Sequence, residues 1–198
     1  QKFEYVPLGP FGAKNFCTTI SPWVVMAEAL APFRCPTSAG KQEEPVPLAY
    51  LQEADYSSYN VDLAVEITPK GGEAPTVVSN ANYKYQYWTC RQQLVHHSVS
   101  GCDMHPGDLF ASGTISGTDT SSYGSMLELC WQGTKEVGPL CDGSMRKFLK
   151  DGDTINMRGV CQGDGFRIGF GECKGQILPH GTPPPQDPST VAVAPMRD

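Results

Sequence analysis

Thr114 stands in a run of small and hydroxyl-bearing residues, the segment 109–117 with the sequence LFASGTISG. Small side chains leave room for a ligand beside the backbone, and glycine in particular permits a close approach. Thr114 is therefore a candidate ligand-binding residue, with an ordinary structural role as the alternative.

Glu128 is flanked by apolar residues on both sides, in the sequence MLELCW of residues 126–131. A carboxylate within an apolar strand is unfavourable unless it has a partner. An alternating strand can also turn this side chain to water, and the pattern does not decide between the two. With a histidine beside it, the carboxylate would orient that histidine as a base.

Lys14 follows a loop rich in proline and glycine, and its ammonium group could stabilise a developing oxyanion. An exposed lysine without such a role is the alternative that the residue pattern alone favours. His96 and His97 fall late in a predicted helix, where successive side chains point about 100° apart and cannot form one chelating face. We interpret them as structural residues, since a helix C-terminus favours histidine.

Neither the glycines nor the cysteines form a cofactor motif. The glycine clusters at 163–165 and 169–171 miss the spacing of a dinucleotide fingerprint and do not precede a predicted helix. The eight cysteines include no Cys-x-x-Cys pair. They are interpreted as reduced residues that fill core gaps, rather than as a disulfide framework or a zinc site.

The elements that must position these residues are mostly predicted strands. The 21 glycines and 17 prolines make up about 19% of the chain, against about 12% on average, which favours a β-rich fold over a helical bundle. Apolar and polar alternation and β-branched content predict strands over residues 16–25, 59–68, 75–79, 108–116, 125–132, 144–149, 154–161 and 165–178.

One long helix is predicted over residues 82–99, with Asn80 or Asn82 as its N-cap and Gly101 just past its end. A single helical turn is expected over residues 26–30. The proline-rich and charged segment 34–49 is predicted to be a surface excursion. Residues 1–179 are expected to form one β-rich α+β domain, and the proline-rich tail 180–198 is expected to be disordered.

Composition and charge exclude several classes of protein. The 198 residues carry a formal net charge of −6 and have a sequence pI near 5.2, which argues against nucleic acid and anionic membranes as partners. The longest apolar run has five residues, at 23–27, whereas a membrane span needs about 20.

An ordered series of segments resembles the fumarylacetoacetate hydrolase family, in its long eukaryotic form, over residues 1–179 in a single register. The matching segments are EYVPLGPF (4–11), TTISPWVV (18–25), QQL (92–94), HHSV (96–99), PGDL (106–109), ASGTISG (111–117), GSMLEL (124–129), GTK (133–135) and CQGDGFRIGFG (161–171).

The resemblance implies a function and a fold. The family cleaves a carbon–carbon bond of 4-fumarylacetoacetate with water, which gives fumarate and acetoacetate in the last step of tyrosine breakdown. It implies a cytoplasmic, metal-dependent homodimer with Mg²⁺ and Ca²⁺ as cofactors. It also implies a mixed β-sandwich or roll with one long helix.

Three catalytic residues follow from the same resemblance. Gln1 matches a glutamine that donates to the developing negative charge, and Lys14 matches the lysine that stabilises the leaving carbanion. Glu128 matches the glutamate that orients the histidine base. The family gives His96 and His97 no catalytic role, so their structural interpretation stands.

The remaining implied residues bind substrate or metal. Tyr5 matches a substrate-binding tyrosine, and Thr114 matches the threonine that holds the substrate carboxylate. Lys14 and Thr18 match a magnesium site, where an ammonium cannot coordinate a cation, so the carbonyl oxygen of Lys14 is the expected ligand.

The chain departs from the family pattern at several points. The sequence FGAK at 11–14 replaces the usual Phe-Leu-Gly-Lys, and residues 34–58 match poorly. The family's histidine base, its carboxylate cluster and a catalytic arginine all precede the point that matches Gln1. We therefore expect a C-terminal portion of a longer enzyme, inactive on its own, with most metal ligands upstream.

Two other functions remain open at this point. One is a non-catalytic dimerising domain that keeps the fold and has lost the chemistry. The other is a related hydrolase or decarboxylase that acts on a different diketo acid.

Overall fold

The computed structural model describes residues 17–183. These residues form helices α1 (Ala27–Leu30), α2 (Cys90–Ser98) and α3 (Met126–Leu129), and strands β1 (Arg34–Pro36), β2 (Ser57–Tyr59), β3 (Asp62–Thr68), β4 (Thr76–Asn82), β5 (Thr154–Gln162) and β6 (Arg167–Gln176). None of the helices in residues 17–183 has the length and hydropathy that a membrane span requires. The predicted disorder of the tail concerns residues 180–198, of which 184–198 lie outside the described part of the chain.

The centre of the fold is an antiparallel four-stranded sheet with the order β4-β3-β5-β6, beside a smaller antiparallel pair of β1 and β2. The predicted strands 59–68, 75–79, 154–161 and 165–178 are confirmed. Gly71 and Gly152 supply the left-handed backbone of the turns before β4 and β5, with φ of 77° and 92°. These sheets, with few helices, agree with the coarser prediction of a β-rich α+β fold.

The two faces of this sheet differ in chemistry because side chains alternate along each strand. Leu63, Val65 and Ile67 of β3 pair with Gly159, Met157 and Ile155 of β5, so these residues share one largely apolar face. The opposite face is polar, and it carries Asp62, Glu66, Asn80, Asn82, Asn156, Arg158, Glu172 and Lys174. A sheet of this kind needs a covering layer on its apolar side.

A small hydrophobic core lies at the end of the sheet next to β1 and β2. Phe33, Val61 and Cys161 are buried there, with partly buried apolar residues packed around them. The expected helical turn at 26–30 is confirmed by α1, which precedes this core.

The long helix over 82–99 is wrong. Asn82 is the last residue of β4, and its side chain accepts a hydrogen bond from the backbone N–H of Lys84 at the start of a short 3₁₀ turn. The helix α2 begins only after Thr89 and has nine residues. Tyrosines and a tryptophan dominate residues 83–88, and aromatic side chains have modest helix propensity, so the chain forms only the short 3₁₀ turn Tyr83–Tyr85 before Thr89 caps α2.

Four predicted strands are also wrong. Residues 17–25 and 108–116 form no strand, and residues 144–149 contribute only an isolated bridge between Val137 and Arg146. Residues 126–129 form α3 instead of a strand, because the Ser125 hydroxyl accepts a hydrogen bond from the backbone N–H of Glu128 and starts a helical turn.

Candidate active site

A cavity of about 430 Å³ contains two of the residues singled out from the sequence, Thr114 and Glu128. Its walls come from three separate parts of the chain, namely residues 85–87, residues 114 and 116, and residues 125, 127 and 128. The connection after β4, the 109–117 segment and α3 therefore meet at one site.

Glu128 reaches this cavity from the single turn of α3. The Ser116 hydroxyl lies 2.8 and 2.9 Å from the two carboxylate oxygens of Glu128, and the Ser125 hydroxyl donates to Oε2 at 2.8 Å. The carboxylate is half-buried and has the partners that its apolar sequence neighbours require. This answers the question that the pattern left open, because Glu128 neither lies in a strand nor simply faces water.

Thr114 lies at the boundary between this cavity and a larger one of about 650 Å³. Its side chain is exposed, and within residues 17–183 its hydroxyl makes no hydrogen bond. The larger cavity lies against the apolar face of the sheet and includes Leu63, Val65 and Met157. A free hydroxyl at such a boundary can bind a ligand oxygen in either space.

Gly124 allows the 109–117 segment to approach α3. A side-chain carbon at this position would lie 2.2 Å from the carbonyl oxygen of Ile115 and 3.1 Å from Cγ2 of Thr114. The backbone N–H of Gly124 donates to the Ser116 hydroxyl at 3.1 Å. This contact holds the segment that carries Thr114 against the helix that carries Glu128.

The wall formed by residues 85–87 is held by two buried glutamines. Gln42 donates to the carbonyl oxygen of Tyr87 at 2.6 Å, and the Gln92 amide donates to Gln42 at 2.7 Å and to the Leu51 carbonyl oxygen at 2.8 Å. Gln42 and Gln92 are 4% and 1% exposed, so these bonds are shielded from water. The segment 34–49 is thus more than a surface excursion, since it is anchored at Gln42 to the site.

The electrostatics of the smaller cavity are simple. Glu128 carries the only formal charge among the described residues that line it. A dianionic ligand would therefore need a cation from another part of the protein.

Three of the predicted site residues, Gln1, Tyr5 and Lys14, lie outside the described residues. Thr18 is exposed in the segment before α1 and does not line either described cavity that contains Thr114. The next residue, Thr19, lies against β6, where its carbonyl oxygen is 3.2 Å from Sγ of Cys173.

Residues 17–183 do not supply a metal centre by themselves. This range contains no group of three or more histidine, cysteine or acidic side chains that could hold an ion together. Thr18 supplies a single hydroxyl oxygen, whereas Mg²⁺ and Ca²⁺ need six or more oxygen ligands. The metal site remains a prediction from the resemblance.

His96 and His97 lie on exposed positions of α2, away from the residues that line the cavity. The ring of His96 stacks on Tyr50 and its Nδ1 is 3.1 Å from the tyrosine hydroxyl, while His97 packs edge-on against Phe110. These contacts agree with the structural interpretation.

Sequence reasoning missed Ser116, Ser125 and the wall at residues 85–87. One signal was available, because Ser125 and Glu128 form the Ser-x-x-Glu pattern that starts helices. The part played by Ser116 and by the aromatic wall depends on contacts between distant segments, which no local pattern contains.

Comparisons with known proteins identify the family of this chain. Residues 1–178 match the family described as Fumarylacetoacetate (FAA) hydrolase C-terminal. Proteins named fumarylacetoacetase are similar over about 90% of this chain, with 52% identity in Caenorhabditis elegans, 51% in Homo sapiens and 52% in Dictyostelium discoideum. The chain spans about 42% of the length of these relatives. This match shows that the chain belongs to the fumarylacetoacetate hydrolase family and corresponds to the C-terminal domain of that family.

Proposed function

We propose that this chain is part of an enzyme that hydrolyses 4-fumarylacetoacetate to fumarate and acetoacetate, in tyrosine breakdown. The observation that carries the proposal is the shared cavity of Thr114 and Glu128, in a chain about half identical to proteins named fumarylacetoacetase. A hydroxyl and an oriented carboxylate are two of the groups that this hydrolysis requires.

In the proposed reaction, water attacks a carbonyl carbon of the substrate and the adjacent carbon–carbon bond breaks. The hydroxyl of the water stays on the carbonyl carbon, and the departing carbanion takes up a proton. Catalysis must therefore supply a base for the water and positive charge or donors for the carbanion.

Glu128 is suited to orient the base. An ionised carboxylate has about four lone-pair positions, and the hydroxyls of Ser116 and Ser125 occupy only part of them. The remaining positions can accept an N–H from a histidine, which would fix the tautomer of that ring. In the family that this chain resembles, the histidine base lies before the point that matches Gln1.

Thr114 is suited to hold a carboxylate of the substrate, because its exposed hydroxyl has no partner in the described part of the chain. Gln1 and Tyr5 are proposed to contact substrate as well. Lys14 is proposed to supply the cation that the described lining of the cavity does not contain, next to the developing carbanion.

We further propose Mg²⁺ and Ca²⁺ as cofactors, a homodimer and a cytoplasmic location, all from the resemblance. Lys14 and Thr18 are the residues of this chain assigned to magnesium. A bound divalent cation would supply positive charge to the substrate oxygens.

The proposal is tested with the full-length protein from the gene that encodes this chain. Glu128→Gln keeps the size of the side chain and removes its charge. We expect kcat for fumarylacetoacetate to fall about 100-fold, which is the larger effect usually seen when a residue that orients a functional group is lost. The matched control is Glu136→Gln, which changes an exposed glutamate and should leave kcat unchanged.

A panel of other diketo acids is assayed beside fumarylacetoacetate. Turnover of another member in preference to fumarylacetoacetate would favour the related hydrolase or decarboxylase. No turnover of any member by the wild-type protein would favour the non-catalytic dimerising domain and refute the proposed function.

A further inference from the structure

The carboxylate of Glu128 is held by two serines from different segments. Ser116 belongs to the 109–117 segment and Ser125 precedes α3, and both hydroxyls lie within 2.9 Å of a carboxylate oxygen. A free glutamate side chain has three rotatable bonds, so without such partners its carboxylate would sample several directions.

The backbone decides which way the two hydroxyl protons point. The N–H of Gly124 donates to Oγ of Ser116 at 3.1 Å, and the N–H of Glu128 donates to Oγ of Ser125 at 3.3 Å. Each serine oxygen thus already accepts one hydrogen bond. Its own O–H is then free to donate, and the nearest acceptor is the Glu128 carboxylate.

This arrangement leaves a defined set of free acceptor positions on Glu128. Glu128, Ser116 and Ser125 all line the cavity shared with Thr114, so the acceptor positions that the serines leave unused are within reach of a group bound there. A partner N–H that enters the cavity would meet the carboxylate in a fixed orientation. Because hydrogen bonds to an ionised group are strong, the two serines can hold this orientation against thermal motion.

We propose that Ser116 and Ser125 are positioning residues of the hydrolysis, which act by fixing the direction of the Glu128 carboxylate. This inference rests on the proposed function of the site. Neither serine needs to touch the substrate, so their effect should appear in kcat and depend on the presence of Glu128.

The test is a double-mutant cycle in the full-length protein. We expect Ser116→Ala to lower kcat about 10-fold, the lower range for loss of a group that orients another, with KM within about threefold of the wild-type value. Ser125→Ala should act in the same direction. In a Glu128→Gln background, the additional effect of Ser116→Ala should be below about twofold, since the carboxylate that it positions is gone.

Two further variants separate positioning from folding. Ser116→Thr keeps the hydroxyl and should recover most of the activity lost in Ser116→Ala. Ser112→Ala is the matched control, because Ser112 lies in the same segment but donates to the Gly113 carbonyl oxygen and not to Glu128. It should retain the wild-type kcat.

The outcomes are distinguishable. An active wild type with unchanged kcat in Ser116→Ala and Ser125→Ala overturns the positioning role alone. An equal loss from Ser116→Ala with and without Glu128 also overturns it, since the serine would then act only on structure. An inactive wild type overturns the proposed function together with this inference.

Discussion

At the residue scale, the site depends on the absence of a side chain at Gly124, which allows two segments of the chain to come close together. A methyl group added to Gly124 would have no space, because its carbon would lie 2.2 Å from the carbonyl oxygen of Ile115. Van der Waals contact between carbon and oxygen needs more than 3 Å, so the two segments would have to separate. Thr114 and Glu128 would move apart with them.

We expect Gly124→Ala to lower the free energy of unfolding by about 1–3 kcal/mol, as overpacking does, and to raise KM for the substrate. Urea unfolding and steady-state kinetics of the full-length protein measure the two effects. Gly169→Ala is the control, because a side-chain carbon there meets nothing within 4 Å. Equal stability of the two variants would contradict the close approach at Gly124.

Candidate site residues were easier to find in the sequence than the geometry around them. The unusual surroundings of Thr114 and Glu128 were visible in the sequence, and the structure places both at one cavity. The partners of Glu128 were not visible, because the strand predicted over 125–132 hid the helical turn that brings Ser125 beside it. Gln1, Tyr5, Lys14 and Thr18 stay predictions as site residues.

At the element scale, α2 depends on its first residues. Thr89 accepts a hydrogen bond from the backbone N–H of Gln92, and the Gln92 side chain accepts one from the backbone N–H of Thr89. The Thr89 hydroxyl also donates to Glu53. This reciprocal cap starts the helix and places the buried glutamine that supports the site wall.

Replacing Thr89 tests this cap. We expect Thr89→Ala to lower the free energy of unfolding by about 1–2 kcal/mol. The buried hydroxyl would no longer accept from the backbone N–H of Gln92 or donate to the carboxylate of Glu53. Thr89→Ser keeps the hydroxyl and should retain most of the stability. Chemical denaturation followed by circular dichroism measures both, and similar losses in the two variants would refute the role of the hydroxyl.

The strand β5 begins beside a buried ion pair. Arg146 Nε and Nη2 donate to the two carboxylate oxygens of Asp153, each at 2.8 Å, and both side chains are nearly inaccessible to water. These hydrogen bonds lower the pKa of Asp153 below its usual value near 4, against the opposing effect of burial. The pair connects the turn before β5 to the bridge at Val137 and Arg146.

A pH dependence of stability follows from this shift. Because the folded pKa of Asp153 is lower than the unfolded one, its contribution is complete above the unfolded value and is lost as pH falls through the folded value. At pH 7 we expect Asp153→Asn to destabilise the protein by about 3–5 kcal/mol, since Arg146 is left buried without a counter-charge.

The difference between the wild type and Asp153→Asn should shrink as pH falls below about 4. Thermal unfolding of both proteins, followed at several pH values from about 3 to about 7, measures this stability difference. Asp164→Asn, at an exposed position between β5 and β6, serves as the control. A stability difference that stays constant over this pH range would contradict the ionised pair.

The strands of the sheet could be predicted because polar and apolar residues alternate along the chain there. The conformation of the connecting segments could not be predicted in this way. The sequence of β3, DLAVEIT, alternates polar and larger apolar residues with the period of two that a sheet with unlike faces requires. The segments 17–25 and 108–116 have similar residue types but find no strand partner among residues 17–183. Strand formation depends on pairing, and pairing is a property of the whole fold.

At the scale of the whole molecule, the described residues bury few apolar side chains. Seven hydrophobic residues are buried and 21 large ones are exposed, including Met157 and Val77 on the sheet. Scattered exposed apolar residues are ordinary, but a sheet face and a neighbouring cavity of about 650 Å³ form a continuous apolar surface.

We expect the 198-residue chain by itself to bind a hydrophobic dye such as anilinonaphthalene sulfonate and to show no hydrolysis of fumarylacetoacetate. The full-length protein should bind less dye per chain and be active. Fluorescence titration and a coupled assay measure the two properties. Hydrolysis by the isolated chain would refute the expectation that the base lies outside it.

The anchored segment 34–49 has a practical consequence for protein engineering. Residues 43–46 are exposed, whereas Gln42 and Pro47 on either side are buried. A short peptide label inserted between Glu43 and Glu44 would thus extend into solvent from a point whose flanks are fixed. Because Gln42 donates to the carbonyl oxygen of Tyr87 in the wall of the candidate site, this position offers a place for a fluorescent reporter close to that wall along the chain.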